Sequence, residues 1–155
     1  MLLIDQDFLP RAIALLDTAD SCIDVSTFKA EITSKPRGRA LRLFFDTLFK
    51  KRKAGIQVNF LLNWNTERRA VPLCNMATVL ELKRQKINVR ILPNNRCCHA
   101  KLIIVDRAKA IIGSHNLSIA SCHKNFEVSY LITDSISVDR LAFVFARTCL
   151  NATKP

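Results

Sequence analysis

Cys98-His99-Ala100-Lys101-Leu102-Ile103-Ile104-Val105-Asp106, carried on to Gly113-Ser114-His115-Asn116, decides how the rest of this chain is read. The apolar run at 102–105 predicts a buried strand, yet a His and a Lys stand at its start. Side chains two apart on a strand share a face, so His99 and Lys101 are expected to enter one pocket. A second short strand, at 109–112, ends on Gly113, where a backbone can turn tightly or come close to a ligand. Ser114 and Asn116 follow, again two apart. An imidazole, an ammonium, a hydroxyl and a carboxamide at neighbouring strand ends are the groups needed to hold and attack a phosphate. Singly, each has a bland explanation, since a lone His near a strand is most often a packed or surface residue. Jointly they do not: at ordinary residue usage, six such residues at these spacings match by chance about once in a million chains of this size.

The spacing His99-x-Lys101-x4-Asp106-x6-Gly113-Ser114-x-Asn116 resembles the HKD motif of the phospholipase D superfamily, complete and correctly spaced. Glu127, further along, falls where members often carry an acidic residue that orients the catalytic His. The resemblance implies that His99 is the nucleophile, forming a covalent phosphohistidine, and that Lys101, Ser114 and Asn116 donate to the phosphoryl oxygens. It implies that Glu127 accepts from His99 Nδ1 and leaves Nε2 free to attack. Asp106 is at an odd offset from His99, so it is expected to support the site or form an ion pair rather than touch phosphate. His115 occupies the variable position and is expected to be a spacer. With one motif in the chain, related proteins complete the site as homodimers whose motifs meet at a two-fold axis, the partner's His serving as acid and base. No metal or cofactor is required by that chemistry.

Composition narrows the partners. At 155 residues and 49% hydrophobic content, the chain is expected to be one domain, 1–155, with a proper core. The net charge of +11 points to a polyanion, either nucleic acid or anionic phospholipid, against the alternative of a merely solvated basic surface. Six cysteines show no CxxC spacing, and Cys97, Cys98, Cys122 and His123 match no usual zinc site. Reduced thiols, no visible signal peptide and no membrane span together give the expectation of a cytoplasmic protein.

In chain order, the pattern predicts a helix at 7–20, a strand at 22–28, a helix at 40–53 stopped by Gly55, and a strand at 56–62. A loop at 63–72, a helix at 73–86 and a strand at 87–92 come next. Beyond the two motif strands come a short connection at 117–124, a strand at 126–133, and a last helix capped by Ser135 or Ser137. The fold class expected is α/β: a mixed, largely parallel sheet flanked by helices on both faces, with the ligand beyond the strand ends.

If nucleic acid is the partner, cations in the loops at those ends should line the groove. Lys29, Lys35, Arg37 and Arg39 follow the first strand, Arg68 and Arg69 follow the second, and Arg96 precedes the motif. Trp64 is either a stacking platform or a packing residue, with nothing to choose between them. The runs at 50–53 and 83–86 sit after long helices and are expected to be solvated faces. The preferred function is a metal-independent, sequence-tolerant nuclease, like the small bacterial nucleases of the superfamily. A cardiolipin-type or other phospholipid hydrolase is the alternative, and a catalytically silent nucleic-acid-binding module the third reading.

Overall fold

The computed structural model describes residues 1–64, 70–92 and 96–155. Seven strands form one sheet in the order β1-β7-β6-β5-β2-β3-β4, where β1 is Leu2–Ile4, β2 Cys22–Thr27, β3 Gln57–Leu62 and β4 Asn88–Ile91. The others are β5 Lys101–Val105, β6 Lys109–Gly113 and β7 Val128–Ile132. β2, β3 and β4 are parallel neighbours, whereas every pairing from β2 through β5, β6 and β7 to β1 is antiparallel. The sheet is mixed as expected, with β1, β2, β3, β4 and β6 running one way and β5 and β7 the other, but four of its six pairings are antiparallel, so it is not largely parallel in its pairing.

The two halves differ because their connections differ. Helices α2 (Arg39–Lys53) and α3 (Ala70–Arg84) carry the chain back between parallel strands. β5 and β6 are joined by a tight hairpin in which Asp106 and Arg107 adopt φ of 53° and 52°, and Ala108 N–H closes onto Val105 O at 3.0 Å.

Burial on both faces explains the unbroken apolar run of β5. Ile103 and Val105 enter one core with Ile23, Val25, Phe60 and the inner faces of α1 (Phe8–Asp17) and α2. Leu102 and Ile104 enter a second core with Val138, Ala142 and Phe145 of α5 (Ser135–Leu150). Helices therefore cover both faces, and Cys98 and Cys122 lie in different cores. Among the described residues, no helix is long and apolar enough to cross a membrane.

Four local expectations need correction. β1 was not foreseen: three residues carry no periodicity, and only pairing with β7 makes them a strand. α3 begins at Ala70, not 73, and takes Pro72 into its first turn, where a missing N–H costs nothing. The connection at 117–124 contains a short helix, α4 (Ile119–His123), capped by Ser118. Asp134, not Ser135 or Ser137, caps α5: its backbone is extended and its carboxylate accepts from Ser137 N–H at 2.9 Å.

Candidate active site

His99 lies just outside β5, exposed, in an extended segment that leads into Lys101. Phe28, the first residue past β2, braces both: its ring is 5.2 Å from the His99 ring, and Lys101 Nζ sits 5.6 Å from its centroid. Lys101 is buried and donates to the His99 carbonyl at 2.6 Å, so the ammonium also fixes the backbone that carries the imidazole. Burial pulls the Lys101 pKa below its ordinary value, partly offset by nearby Cys98 and Glu127.

Antiparallel register brings the second half of the motif alongside. Lys101 pairs with Gly113, which in turn pairs with Ser129. A Cβ on Gly113 would stand 2.4 Å from both the Ser129 Cα and the Val128 carbonyl, so this glycine serves close strand approach rather than ligand access. Ser114 follows at the strand end. Its hydroxyl donates to Glu127 and accepts from Val128 N–H at 3.0 Å. A serine has one proton, so in this state the proton faces Glu127 rather than a phosphate.

Glu127 is the hub of the cluster. Besides Ser114, it accepts from Ser121 Oγ at 2.8 Å and Asn125 Nδ2 at 3.0 Å, and Asp5 accepts its N–H at 2.8 Å. Burial pushes the Glu127 carboxyl up, but the donors from Ser114, Asn125 and Ser121 outweigh it and hold the group below its ordinary value, charged. Ser121 also accepts the Asn116 N–H at 2.8 Å, tying Glu127 to the next motif residue. Asn116 Oδ1 faces Lys29 N–H at 3.1 Å and Thr27 Oγ1 at 3.3 Å. A backbone N–H only donates, which fixes the amide orientation and turns Nδ2, a donor, the other way. The ends of β2, β5 and β6 thus bring together Lys101, Ser114, Asn116 and Glu127, with His99 joined to them through Lys101 and Phe28.

Asp106 stands apart, at the other end of β5. Its carboxylate accepts from the N–H groups of Asp20, Ser21 and Cys22, each at 2.8 Å, and from Ser21 Oγ at 2.7 Å. It ties the α1–β2 connection to the hairpin. His115, expected as a spacer, is buried against the Phe8 ring at 4.4 Å. Its Nε2 is 3.0 Å from the Asp5 carbonyl, which can only accept, so Nε2 carries the proton and Nδ1 accepts from Ser129 Oγ at 2.7 Å. Burial lowers its pKa despite the nearby Glu127 and Asp5 carboxylates.

Of the substrate-side residues, Lys29 borders Asn116 but pairs its ammonium with Glu31 at 2.8 Å. Arg96 is exposed at the approach to His99. Trp64 is half-buried and packs against the first core, in line with the packing alternative. Arg68 and Arg69 lie outside the described residues. Sequence reading missed Phe28, Ser121, Asn125 and Asp5. Asn125, two residues before Glu127, had a usable period-two signal; the other three meet the site only through the fold.

A family profile described as cardiolipin synthase, PLD-like domain, matches residues 12–149. Proteins named phospholipase D from Rickettsia bellii and Rickettsia typhi are 29% identical over 115 residues and 30% identical over 97. Those alignments cover 74% and 63% of this chain but 55% and 45% of the relatives, so the chain spans about half their length. Among solved structures, a phospholipase D family member, Nuc from Salmonella typhimurium, superposes with a TM-score of 0.81 at 18% identity, covering 100% of this chain and 96% of that one. NucT from Helicobacter pylori gives 0.79 at 14% identity, covering 100% and 98%. An archaeal chromatin protein with a novel mode of DNA binding gives 0.63 at 17% identity over 98% of this chain and 53% of its own. At these identities the structural likeness is one of fold.

Proposed function

The chain belongs to the phospholipase D superfamily, with a PLD-like domain over most of its length, and from that premise we propose that it is a nuclease, cutting nucleic-acid phosphodiesters through His99. The observation that carries this reading is the gathering of Lys101, bonded to the His99 carbonyl, with Asn116 and the Ser114–Glu127 pair at the ends of neighbouring strands, in a chain of net charge +11. A polyphosphate backbone accounts for so large an excess of cations.

In this mechanism a neutral His99 Nε2 attacks phosphorus, and the P–N bond forms as the P–O bond to the leaving strand breaks. Lys101 and Asn116 Nδ2 donate to the phosphoryl oxygens where charge shifts. Glu127, charged and held by three side-chain donors, anchors Ser114 and supplies the negative field that favours the imidazolium-like phosphohistidine. The leaving oxygen takes a proton from His99 of the partner subunit. Water then gives its proton back to that imidazole as its oxygen bonds phosphorus and the P–N bond breaks.

A second copy has a surface to meet. Leu2 and Ile112 flank Tyr130 across the sheet, and Ile4 pairs with Val128, all on one face at the site's edge. These side chains are 37–54% exposed, and Phe126 beside them is 80% exposed. An apolar face of that kind fits an isologous dimer.

The phospholipase reading is favoured by the names of the relatives and by the same apolar face, which could meet lipid instead. The test is cleavage of labelled DNA and RNA, single- and double-stranded, in excess EDTA, with His99→Ala alongside and the mass in solution measured. Expected are metal-free cleavage by a species of twice 17.5 kDa and none by the variant. Absence of cleavage on every strand, with hydrolysis of anionic phospholipid vesicles, would overturn the nuclease reading.

A further inference from the structure

The loop between β2 and α2 faces α4 across a groove of about 570 Å³. We propose that this groove holds the sugar-phosphate backbone of a nucleic-acid strand outside the cleaved bond, with Lys35, Arg37 and Lys124 as its phosphate contacts. The inference rests on the nuclease reading above.

Three observations carry it. The first is position. Lys29 N–H bonds the Asn116 side chain at 3.1 Å, and Glu31 N–H bonds the Leu117 carbonyl at 2.8 Å, so the loop wall of the groove is stitched directly to the motif. A strand seated there lies against the loop that is bonded to Asn116.

The second is charge. Lys35 and Arg37 come from the loop and Lys124 from the end of α4, and none of the three makes an ion pair among the described residues. Glu31, the acid in the groove, is already committed: one oxygen pairs with Lys29 at 2.8 Å and the other accepts from Ile119 N–H at 2.9 Å. The remaining field is positive.

The third is contrast with the other basic concentration, at the ends of α2 and α3. There Lys51 donates to the Asp17 and Ala19 carbonyls, Arg52 to the Lys86 carbonyl, and Arg84 pairs with Glu81 at 2.9 Å. Lys51 and Arg52 are held by main-chain carbonyls and Arg84 by a carboxylate, and these three need no ligand to explain them. The groove cations have no such work. Its floor of Pro36, Ile119 and Ala120 is small and apolar, suited to sugar edges, while the cations read phosphate without reading sequence.

The experiment uses the whole chain with Lys35→Ala, Arg37→Ala and Lys124→Ala combined. Binding of a labelled single-stranded 20-mer is followed across a salt series, and turnover of bis(p-nitrophenyl) phosphate, too small to reach the groove, is followed in parallel. Affinity is expected to fall at least about tenfold at low salt, and the salt slope to lose about 2 units, near 0.7 per lost contact. Turnover of the small diester stays within about twofold of wild type. A second variant, Lys35→Arg with Lys124→Arg, keeps both affinity and slope. Unchanged strand affinity and slope in the triple variant overturns the proposal, as does a loss confined to anionic vesicles. Failure of the wild type to turn over the small diester sinks the nuclease reading instead, and a triple-variant loss of strand binding would then still support the groove.

Discussion

Two carboxylates mark opposite ends of the β5–β6 hairpin, and both are richly hydrogen-bonded. Asp106 takes three of its four bonds from main-chain N–H groups, at Asp20, Ser21 and Cys22. Glu127 takes its bonds from side chains, at Ser114, Ser121 and Asn125. In both, burial raises the pKa and the donors more than cancel it, so both stay charged. The difference lies in what the bonds hold. A carboxylate bound to main chain fixes the course of the backbone, here the entry into β2. A carboxylate bound to hydroxyls and an amide sets where their protons and lone pairs point, beside groups that can reach a phosphate. Two members of one sequence motif region thus differ by the kind of donor, one holding main chain and the other side chains.

That separation is broken most directly at Glu127. Glu127→Gln keeps the shape and removes the charge. Turnover is expected to fall 10²–10³-fold, about 3–4 kcal/mol on the barrier, with the melting temperature moved by only a few degrees. Steady-state rates and calorimetry on the same preparation decide it. A large drop in melting temperature with turnover per folded molecule preserved would show Glu127 to be a second structural clamp. The converse holds for Asp106→Ala, which strips four bonds from a partly exposed carboxylate. A stability loss of about 2–3 kcal/mol is expected, some 2–4 °C in melting temperature for each kcal/mol in a chain of this size. Turnover at 25 °C is expected to stay within about threefold. If Asp106→Ala instead abolishes turnover in a fully folded protein, the two carboxylates are not divided as the hydrogen bonds divide them.

The same contrast explains what was legible in the sequence. His99, Lys101, Ser114, Asn116 and Glu127 stand close together along the chain, and strand periodicity suffices to put most of them at one end of a hairpin. The sheet class followed from the spacing of apolar runs and helical stretches. What escaped is contributed by contacts over long separations. Asp5 reaches Glu127 only because β1 pairs with β7, and three residues carry too little pattern to announce a strand. Phe28 looks like the end of an apolar alternation until β5 is laid antiparallel beside β2. The role of His115 was hidden for the opposite reason: its position between two motif residues suggested a spacer, while its burial is decided by Phe8 of α1. Capping of α5 turned on one residue, since Asp134 and its serine neighbours are all good caps and only backbone geometry chooses.

His115 gives the smallest effect and a separate check on how the hub is held. The imidazole is neutral in the fold, donating to the Asp5 carbonyl and accepting from Ser129, and protonation would break the second bond in a buried place. Its folded pKa lies below the ordinary 6.5, first because of burial, so the unfolded chain binds the proton more readily. Stability is therefore full above pH 6.5 and declines as pH falls from there towards the lowered folded value. Glu127 and Asp106 lose stability in the same direction but at lower pH: with folded values below 4.5 and 3.8, their stabilisation persists until pH falls past those figures. Denaturation midpoints plotted against pH should show two descents, one beginning near 6.5 and another below 4.5. His115→Gln should flatten the first and leave the second, because glutamine has no proton to gain. A first descent that survives in the variant would show that His115 does not carry it, and its contact with Asp5 would then be indifferent to acid.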